Sequence, residues 1–429
     1  MKRVLVFTTI ERAFYSSVIE YQLLEPIAEI AQKDRGNKFI YIGFIPINQW
    51  VSRDKLLKSF IIYKNNRKRI KSWLSKNNVY CKFIPILFPI RCKGFHLNIW
   101  WLCLYTICSL PILFYILLRY RINLVHSRNY PATLIVFLTG LLLGIPYIFD
   151  MRDLYPEKGI EAGIFSRKSW SYRLWKLIEL KLIKSASYVV TTSEPFKEYV
   201  QKKTIKSGTS KVIFWPNCVN PLHFKPDETL RKAVREEYGV QNKFVLLHSG
   251  TFGTPKDIPL TLKYFIHFKT IQPNAHLVIF YGIQQKITEI IALAKETGIK
   301  QKDLTVLSLP PEEVPKHILI GDVGLHLESM AIATPYGIGV KDGEYLSAGL
   351  PIIVTHWQEG IAPLVKKYQA GIVVDTLNNS IQNELQLLKN YTRFRENGFK
   401  LVEEVFSLNR NVKRLNEIYF YPHSKQNRQ

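Results

Sequence analysis

Residues 335–354 read Pro335-Tyr336-Gly337-Ile338-Gly339-Val340-Lys341-Asp342-Gly343-Glu344-Tyr345-Leu346-Ser347-Ala348-Gly349-Leu350-Pro351-Ile352-Ile353-Val354. This order of residue types predicts a glycine-rich loop, a short helix, a Gly-Leu-Pro turn and a buried strand. Glycines let a backbone come close to a ligand, and the first turn of a helix presents unpaired N–H groups to anions. The segment therefore favours an α/β fold with an anion-binding loop.

Two charged residues lie in the first turns of this predicted helix. Lys341 is near the positive end of the helix, where a cation is unfavourable unless an anion such as a diphosphate joins it. Glu344 follows about one turn later, and its carboxylate can accept two hydroxyl hydrogen bonds of the kind that a ribose presents. Without a ligand, the same residues would form a solvent-exposed helix start with capping value only.

A second loop has the same character. The predicted strand Phe244–His248 runs into Ser249-Gly250-Thr251-Phe252-Gly253-Thr254-Pro255-Lys256, and a helix follows. Gly250 and Thr251 are small enough for an anion to approach the backbone, and Lys256 adds a point charge for a phosphate. The alternative is an ordinary strand-loop-helix connection with a solvated lysine.

Apolar runs bounded by turn residues recur along the chain, with helical patterns between or after them. The first series of predicted strands comprises Arg3–Thr8, Lys38–Gly43, Val79–Phe88, Asn123–His126, Tyr147–Phe149 and Tyr188–Thr191. The second series comprises Phe244–His248, His276–Tyr281, Asp322–Leu325, Ile352–Val354 and Gly371–Val374. Predicted helices include Trp170–Lys184 and Ser380–Leu388. Alternating strands and helices predict parallel sheets covered by helices, and two series predict two doubly wound domains.

The break between the two series falls within residues 206–243, where Gly208, Pro216, Pro221 and Pro226 interrupt the pattern. The sequence therefore predicts an N-terminal Rossmann-like domain over residues 1–207 and a C-terminal one over residues 208–408. Residues 409–429 are predicted to form a helix and tail that pack back on the N-terminal domain, with a frayed polar end.

Composition and missing motifs exclude several classes of protein. The 429 residues are 47% hydrophobic and 13% aromatic, which excludes a mainly disordered chain. Five cysteines without a CxxC pair suggest neither a disulfide framework nor a zinc site. No GxGxxG follows the first strand, and GxxxxGKS/T, DxD, HExxH and GxSxG are also absent. A nicotinamide or flavin site, a P-loop and a DxD metal clamp are therefore not expected.

The charge is strongly positive and unevenly spread. The formal net charge is +25, which indicates an anionic partner such as nucleic acid, a membrane surface or a phosphorylated substrate. Residues 51–100 hold twelve Lys and Arg but one acidic residue, Asp54. Within this stretch Lys64–Lys71 has apolar neighbours such as Phe60 and Trp73, a pattern that suits an anionic membrane surface. The alternative is a solvated helix face.

An uncharged stretch lies next to the basic one. Gly94–Leu118 contains no Asp, Glu, Lys or Arg and is long enough to span a bilayer. Pro111 lies near its middle, and the short strand predicted just after it does not suit a membrane hairpin. We therefore expect a buried or membrane-surface helix, with an integral membrane protein that spans the bilayer here as the alternative.

The segment Lys341–Pro351 resembles the nucleotide-sugar motif of family 4 retaining glycosyltransferases, which have the GT-B fold. It is most similar to the branch whose motif reads K-x-x-E-Y-L/M-A-x-G-x-P. Other segments are similar to this branch in chain order: Gly144–Glu157 to GxPxxxxxRDLWPE, Ser187–Ser193 to its AdxVixxS strand, and Pro216–Asn220 with Phe224 to PNGVDxxxF. The resemblance runs from about residue 120 to 375.

The resemblance implies two Rossmann-like domains facing a cleft, a sugar nucleotide held mainly by the C-terminal domain, and transfer with retention of configuration. It implies neither a required metal nor a further cofactor. The implied catalytic residues are Asp153, Lys256 and Glu344. The implied donor-binding residues are Gly250, Thr251, Lys256, Gly337, Gly339, Lys341 and Glu344.

Individual roles follow from the same resemblance. Lys256 would neutralise the leaving diphosphate, Glu344 would hold the ribose, and the backbone of Gly337–Gly339 would line the phosphates. Lys341 would contribute near the donor. Asp153 would face the sugar or the acceptor from the N-terminal domain; a loop cap or an ion pair with a nearby base such as Arg152 is the alternative.

The chain departs from the family pattern at two positions of the site. Tyr336 stands where the family frequently has the first Glu of an E-x7-E pair, and Thr251 replaces the Arg often found after the phosphate-loop glycine. Glu328 is too distant in sequence to be assigned as the missing carboxylate. A catalytically impaired scaffold or binding protein of the same fold therefore stays as an alternative.

We expect a glycosyltransferase that moves a sugar from a nucleotide-sugar donor to a lipid-linked or cell-envelope saccharide. Its expected place is the cytoplasm, at the inner face of a membrane. The expected partners are the donor, that acceptor and an anionic membrane surface, without nucleic acid. A basic nucleic-acid-binding protein is the remaining alternative, although no recognised RNA or DNA motif accompanies the basic run.

Overall fold

The computed structural model divides the chain into two compact units. The first comprises Met1–Trp215 and Val412–Gln429, and the second comprises Pro216–Asn411. The structure describes residues 1–10, 17–34, 36–46, 56–86, 99–204, 211–252, 256–281, 287–375 and 381–420. Several features singled out in the sequence lie outside these ranges: residues 87–88, 94–98, 253–255 and 424–429, together with Arg53, Lys55, Arg91, Lys93, Gly208 and Ser380.

The first unit is built on a seven-stranded parallel sheet. Its strands are β1 (Arg3–Thr9), β2 (Lys38–Pro46), β3 (Val79–Ile86), β4 (Leu124–Arg128), β5 (Tyr147–Asp150), β6 (Tyr188–Thr191) and β7 (Lys211–Phe214). They lie in the order β3-β2-β1-β4-β5-β6-β7. The register pairs Val4 of β1 with Phe39 of β2 and with Leu124 of β4. Val4–Phe7 is fully buried, because helices cover both faces of a parallel sheet.

Helices connect these strands. A helical turn at Ser17–Ile19 and a π-helical segment at Glu20–Leu24 lead into α1 (Glu25–Lys33), and then follow α2 (Leu56–Lys76), α3 (Ile99–Arg119), α4 (Asn129–Leu143), α5 (Tyr155–Glu161), α6 (Trp170–Ser185) and α7 (Glu194–Thr204). The chain steps from β1 to β3 in one direction and from β3 to β7 in the other. Right-handed crossovers therefore put α1 and α2 on one face of the sheet and α3, α4 and α6 on the opposite face.

The second unit is built on a six-stranded parallel sheet in the order β10-β9-β8-β11-β12-β13. Its strands are β8 (Phe244–Ser249), β9 (Ala275–Phe280), β10 (Leu304–Leu307), β11 (Val323–His326), β12 (Ile352–Thr355) and β13 (Gly371–Val374). Its helices are α8 (Glu228–Glu237), α9 (Asp257–Ile271), α10 (Ile287–Glu296), α11 (Val314–His317), α12 (Val340–Ser347), α13 (Ala362–Tyr368), α14 (Gln382–Lys389) and α15 (Tyr391–Leu401). A final helix, α16 (Leu408–Phe420), carries the chain back to the first unit from Val412 onward.

All of the strands predicted from the sequence are present, and two more strands appear among the residues that the structure describes. The additional strands, β7 and β10, form the outer edges of the two sheets. Most of their residues are only partly buried, so their apolar runs are short and weak. Edge strands bury less surface than central ones, which explains why periodicity alone did not indicate them.

Helix α3 includes the uncharged stretch of the sequence. Among the described helices, only its segment Trp101–Arg119 is long and apolar enough to cross a membrane, and 44% of the apolar window is buried inside the protein. The helix continues through Pro111. The Tyr105 hydroxyl lies 2.5 Å from Thr9 Oγ1, so α3 is hydrogen-bonded to the end of β1. One face of α3 is therefore part of the packed first unit.

Candidate functional site

The carboxyl ends of the parallel strands in the second unit meet at one edge of its sheet, which is where open α/β proteins bind ligands. At this edge the backbone N–H of Ser249, the last residue of β8, donates a hydrogen bond to Tyr345 Oη at 2.6 Å. The buried Tyr345 ring packs over Gly324, where a Cβ would come within 2.3 Å of the ring. These contacts hold α12 against the loop that follows β8.

The glycines of the two loops differ in backbone conformation and in the space around them. Gly250 has a φ of +100°, a left-handed conformation that favours glycine, and its N–H donates to Phe280 O at 2.9 Å. Gly337 is exposed with an ordinary φ, and a Cβ there would meet no atom within 4 Å. A Cβ on Gly339 would lie 2.7 Å from His326 Cε1. The loop before α12 is therefore closely packed at Gly339 and open at Gly337.

Lys341 lies half-buried in the first turn of α12 and is surrounded by carboxylates. Burial lowers the pKa of its ammonium group, and the negative charges of Glu328, Asp342, Asp257 and Glu344 oppose that shift. From the sequence, an anionic ligand was the expected compensation for a cation at this helix start. In the structure, carboxylates of the chain itself offset part of the cost of burying Lys341.

Glu344 lies half-buried one turn further along α12. Burial raises the pKa of its carboxyl group to about 7, although the positive charge of Lys341 opposes the increase. The carboxyl group therefore changes charge near neutral pH. A ligand that donates hydroxyl hydrogen bonds here would favour the ionised form, because a carboxylate offers more acceptor sites than a carboxylic acid.

Lys256 and Thr251 are both exposed on the loop after β8. Lys256 comes directly before α9, so its side chain begins at the positive end of that helix. The next residue, Asp257, is buried, and its Oδ1 accepts hydrogen bonds from the N–H and the hydroxyl of Ser329, both at 2.7 Å. The start of α9 is thereby joined to the loop after β11.

His326, a residue that the sequence did not single out, lies at the centre of the site. Its Nδ1 is 2.6 Å from Asp342 Oδ1, and its Nε2 is 3.1 Å from Glu328 Oε1. Burial alone would lower the pKa of His326, but Asp342 and Glu328 raise it to about 9. At neutral pH the ring is therefore an imidazolium that donates to both carboxylates. The only sequence signal was a histidine at the end of an apolar run.

A second histidine, His248 at the end of β8, is uncharged. Burial, together with the positive charges of Lys341 and His326, holds the pKa of His248 well below its usual value. The neutral ring stacks on Phe252, with the ring centroids 3.9 Å apart and the planes 9° apart. The site thus combines an uncharged aromatic pair with a dense cluster of charges.

Asp153 belongs to the first unit, whereas the other predicted site residues all belong to the second. It follows β5, and its Oδ2 accepts a hydrogen bond from Lys158 Nζ at 2.7 Å. The Asp153 side chain is 28% exposed. Arg152, the base considered as its partner, instead lies 2.7 Å from Asp150.

Asp150 is the centre of a buried charge cluster that sequence reasoning missed. Arg152 Nε lies 2.7 Å from Asp150 Oδ1, and Arg128 and His126 each lie 3.5 Å from Oδ2. Burial alone would raise the pKa of Asp150, but Arg152, His126 and Arg128 hold it well below its usual range. The Tyr419 hydroxyl lies 2.5 Å from His126 Nδ1 and adds the C-terminal helix to the cluster.

The remainder of the segment around Asp153 has a structural role. Glu157 is buried, and it accepts hydrogen bonds from Lys176 Nζ at 2.9 Å and from the Tyr172 hydroxyl at 3.0 Å. Both donors belong to α6. Glu157 therefore anchors α5, and with it the loop that carries Asp153, to α6.

Comparisons with known proteins agree with this architecture. Residues 231–400 match the family model described as "Glycosyl transferases group 1", and residues 101–217 match the model described as "Glycosyl transferase 4-like domain". The putative glycosyltransferase YtcC of Bacillus subtilis (strain 168) is 23% identical to this chain over 271 residues. That match covers 60% of this chain and 64% of the length of the relative.

Solved structures share the fold at low sequence identity. Sucrose-phosphate synthase from Thermosynechococcus elongatus has a TM-score of 0.69 and 13% identity, and the match covers 97% of this chain and 98% of that one. Anabaena HepE in complex with UDP-glucose has a TM-score of 0.64 and 12% identity, with 97% and 99% covered. These similarities confirm the expected α/β GT-B fold. The chain therefore has the GT-B fold, and two separate stretches of it match models of glycosyl transferase domains.

Proposed function

We propose that this protein is a glycosyltransferase that uses a nucleotide-sugar donor bound at the carboxyl edge of the second sheet. The proposal rests on one observation: the Ser249–Tyr345 hydrogen bond brings the loop after β8 next to the helix that carries Lys341 and Glu344. This site lies within the matched group 1 domain. HepE, a protein of similar fold, has been crystallised with UDP and with UDP-glucose.

The diphosphate and the ribose of the donor each have partners in this proposal. The diphosphate lies along the two glycine loops, at Gly250, Thr251, Gly337 and Gly339. The open space at Gly337 leaves room for it, since none of the described residues comes within 4 Å of a Cβ placed there. Lys256 and Lys341 supply positive charge, and Glu344 accepts the ribose hydroxyls.

The proposed reaction is a substitution on one face of the sugar. The bond from the anomeric carbon to the diphosphate oxygen breaks, and the acceptor hydroxyl oxygen bonds to that carbon from the same side. The acceptor proton passes to the leaving phosphate, and configuration is retained. Negative charge grows on the leaving diphosphate, where backbone N–H groups and Lys256 stabilise it. Asp153 is proposed to face the sugar or the acceptor, and no metal ion or further cofactor takes part.

A thermal-shift screen with nucleoside diphosphates and sugar nucleotides tests donor binding. Glu344→Ala and Lys256→Ala are each expected to abolish transfer while the fold survives. Lys263→Ala, at an exposed lysine on α9, is the matched control and is expected to keep full activity. EDTA is expected to leave transfer unchanged. Full activity in both site variants would contradict the site assignment.

A catalytically impaired scaffold of the same fold is the second candidate. Tyr336 and Thr251 favour it, because they replace residues that the family frequently uses at the donor. The carboxylates around Lys341 also favour it, since they supply negative charge to the site without a ligand. This candidate predicts no donor hydrolysis and no thermal shift with any nucleotide.

For the acceptor, we propose a lipid-linked or cell-envelope saccharide reached from the cytoplasmic face of a membrane. The net charge of +25 supports a location at an anionic surface. Transfer assays that compare lipid-linked with soluble saccharides, in the presence and absence of anionic vesicles, test this part. Binding to oligonucleotides but not to vesicles would instead favour the nucleic-acid alternative.

A further inference from the structure

The outer face of α3 carries a continuous apolar stripe, which we call the α3 stripe. It consists of Leu104, Ile107, Pro111, Tyr115 and Leu118. Spacings of three and four residues place these side chains on one face of the helix. The four large ones are 45–63% exposed, although each is of a type that proteins usually bury. No residue of the stripe is charged.

The opposite face of α3 is firmly packed. Leu102, Tyr105, Leu113, Ile116 and Leu117 are all buried in the first unit. The hydrogen bond between the Tyr105 and Thr9 hydroxyls adds a polar contact to this packing. A helix that crossed a bilayer would have to give up these contacts, so the structure favours a helix that lies along a surface.

Tyrosines and cations border the stripe where α3 ends. The Tyr120 hydroxyl donates to the Tyr80 hydroxyl at 3.1 Å, and Tyr80 is 47% exposed. The Arg119 guanidinium lies 6.0 Å from the centroid of the Tyr120 ring. Lys82 is exposed on the same side of β3 as Tyr80, because side chains alternate along a strand. Tyrosines with flanking Lys and Arg are typical of the boundary between lipid and water.

The neighbouring helix extends the apolar surface. Leu141 and Leu142, in the last turn of α4, are 67% and 77% exposed. Helices α3 and α4 pack against each other, and each precedes a parallel strand of the same sheet. Their C-terminal ends therefore lie at the same edge of that sheet.

The stretch of sequence that contains this surface carries charge of a single sign. From Lys55 to Phe149 the sequence contains fourteen Lys and Arg but neither Asp nor Glu, and seven of these cations belong to α2. Lys82 and Arg119 lie at the border of the stripe. An apolar stripe with cations at its border complements an anionic lipid surface, where apolar side chains enter the headgroup region and cations meet phosphates. The basic helix α2 covers the other face of the sheet. The stripe is thus a separate surface from the amphipathic helix expected from the sequence.

We propose that α3 lies in the plane of an anionic bilayer, with the α3 stripe among the headgroups and upper acyl chains. Its inner face stays packed on the first unit. This inference deepens the proposed membrane location and rests on it. It names the lipid surface as the partner of the stripe, and it does not depend on which sugar or nucleotide the second unit binds.

Vesicle flotation of the full chain tests the inference, with phosphatidylcholine vesicles that contain or lack phosphatidylglycerol. The double variant Ile107→Ser/Tyr115→Ser is expected to weaken binding to anionic vesicles about tenfold or more. Leu222→Ser is the matched control, because Leu222 is 83% exposed but belongs to the second unit. Unchanged flotation of the double variant would overturn the inference. Lys82→Gln/Arg119→Gln is expected to reduce the preference for anionic over neutral vesicles.

Two measurements distinguish other occupants of the stripe. Alkaline carbonate is expected to release the bound protein, and retention would mean that α3 crosses the bilayer. Size-exclusion chromatography without vesicles is expected to give the same mass for wild type and double variant. A dimer that the double variant dissociates would assign the stripe to a second copy of the chain and overturn the lipid assignment.

The nucleotide thermal shift, measured on the same samples, separates this inference from the proposed function. A double variant that keeps its melting temperature and the wild-type nucleotide response, but loses vesicle binding, supports both. If wild type responds to no nucleotide while the variant still loses vesicle binding, the donor proposal fails and the lipid surface stands.

Discussion

The imidazolium of His326 joins the end of β11 and the loop after it to the first turn of α12. It contacts Glu328 after β11 and Asp342 in α12, and Asp342 Oδ2 accepts the N–H of Gly339 at 2.8 Å. A neutral imidazole has a single N–H and cannot donate to both carboxylates, and a buried carboxylate without a partner is costly. The orientation of the loop before α12 therefore depends on one proton on His326.

We expect His326→Gln to lower the free energy of unfolding by about 2–3 kcal/mol near pH 6. The pKa of His326 is raised from 6.5 to about 9. Its stabilising contribution is therefore complete below about pH 6.5 and is lost as the pH rises through about 9. Urea unfolding of wild type and variant at several pH values measures the difference. His356→Gln, at an exposed histidine, is the control, and a difference that does not change with pH would contradict the interpretation.

Glu344 makes a second prediction about pH, for binding rather than stability. Its pKa is raised to about 7, so it loses its charge as the pH falls below neutral. We expect the affinity for the preferred nucleoside diphosphate to fall in the same range, because the protonated carboxyl is a weaker acceptor for ribose hydroxyls. Calorimetric titration of wild type and Glu344→Gln measures this effect. The variant keeps the titration of the nucleotide itself, so identical pH profiles would exclude Glu344 from the site.

At the scale of elements, α12 is positioned against the end of β8 by the Tyr345 side chain. The Tyr345 ring is buried over Gly324, and its hydroxyl accepts the N–H of Ser249. The helix that carries Lys341 and Glu344 is thus fixed to the end of the central strand β8. Without this contact, the two glycine loops would have no direct connection that fixes the distance between them.

Tyr345→Phe removes this hydrogen bond and keeps the ring. We expect a loss of about 1–3 kcal/mol in the free energy of unfolding, because the Ser249 N–H remains buried without its partner. The affinity for nucleoside diphosphates is expected to fall as well, since the two loops lose their connection. Tyr368→Phe, which removes a surface hydrogen bond to Glu404, is the control. Wild-type stability in Tyr345→Phe would contradict the contact.

At the scale of the whole molecule, the main feature is that the C-terminal helix α16 returns to the first unit and packs there. Tyr419 of α16 is buried beside Phe39, with ring centroids 5.8 Å apart, and its hydroxyl contacts His126. Lys2 Nζ donates to the carbonyl of Tyr419 at 3.2 Å. The start of β1 and the last described helix are therefore packed together, although more than 400 residues separate them.

Truncation after Asn411 is expected to destabilise the first unit by about 5 kcal/mol or more, because several buried apolar side chains of α16 are lost. Differential scanning calorimetry and limited proteolysis of the fragments measure the effect. Removal of residues 421–429 alone is the control and is expected to change neither. If the truncated chain keeps the unfolding transition of the first unit unchanged, α16 adds nothing to the stability of that unit.

Local patterns in the sequence were sufficient for most of the fold. Alternating apolar runs and helical segments indicated two parallel sheets, because strands buried on both faces are apolar throughout. The glycine loops with Lys341 and Glu344 were also visible, since loop, helix and strand follow one another directly. The edge strands β7 and β10 were missed because partly exposed strands have weak apolar runs.

Only the tertiary structure decided which distant residues meet and what charge they carry. The pairing of β4 with β5, which no local pattern encodes, brings Arg128 to Asp150, and the packing of α12 on β11 brings Asp342 to His326. The pKa of each group then follows from burial and neighbouring charges, which exist only in the folded chain. The order of strands in the first sheet puts α2 and α3 on opposite faces, and so separates two stretches that are neighbours in the sequence.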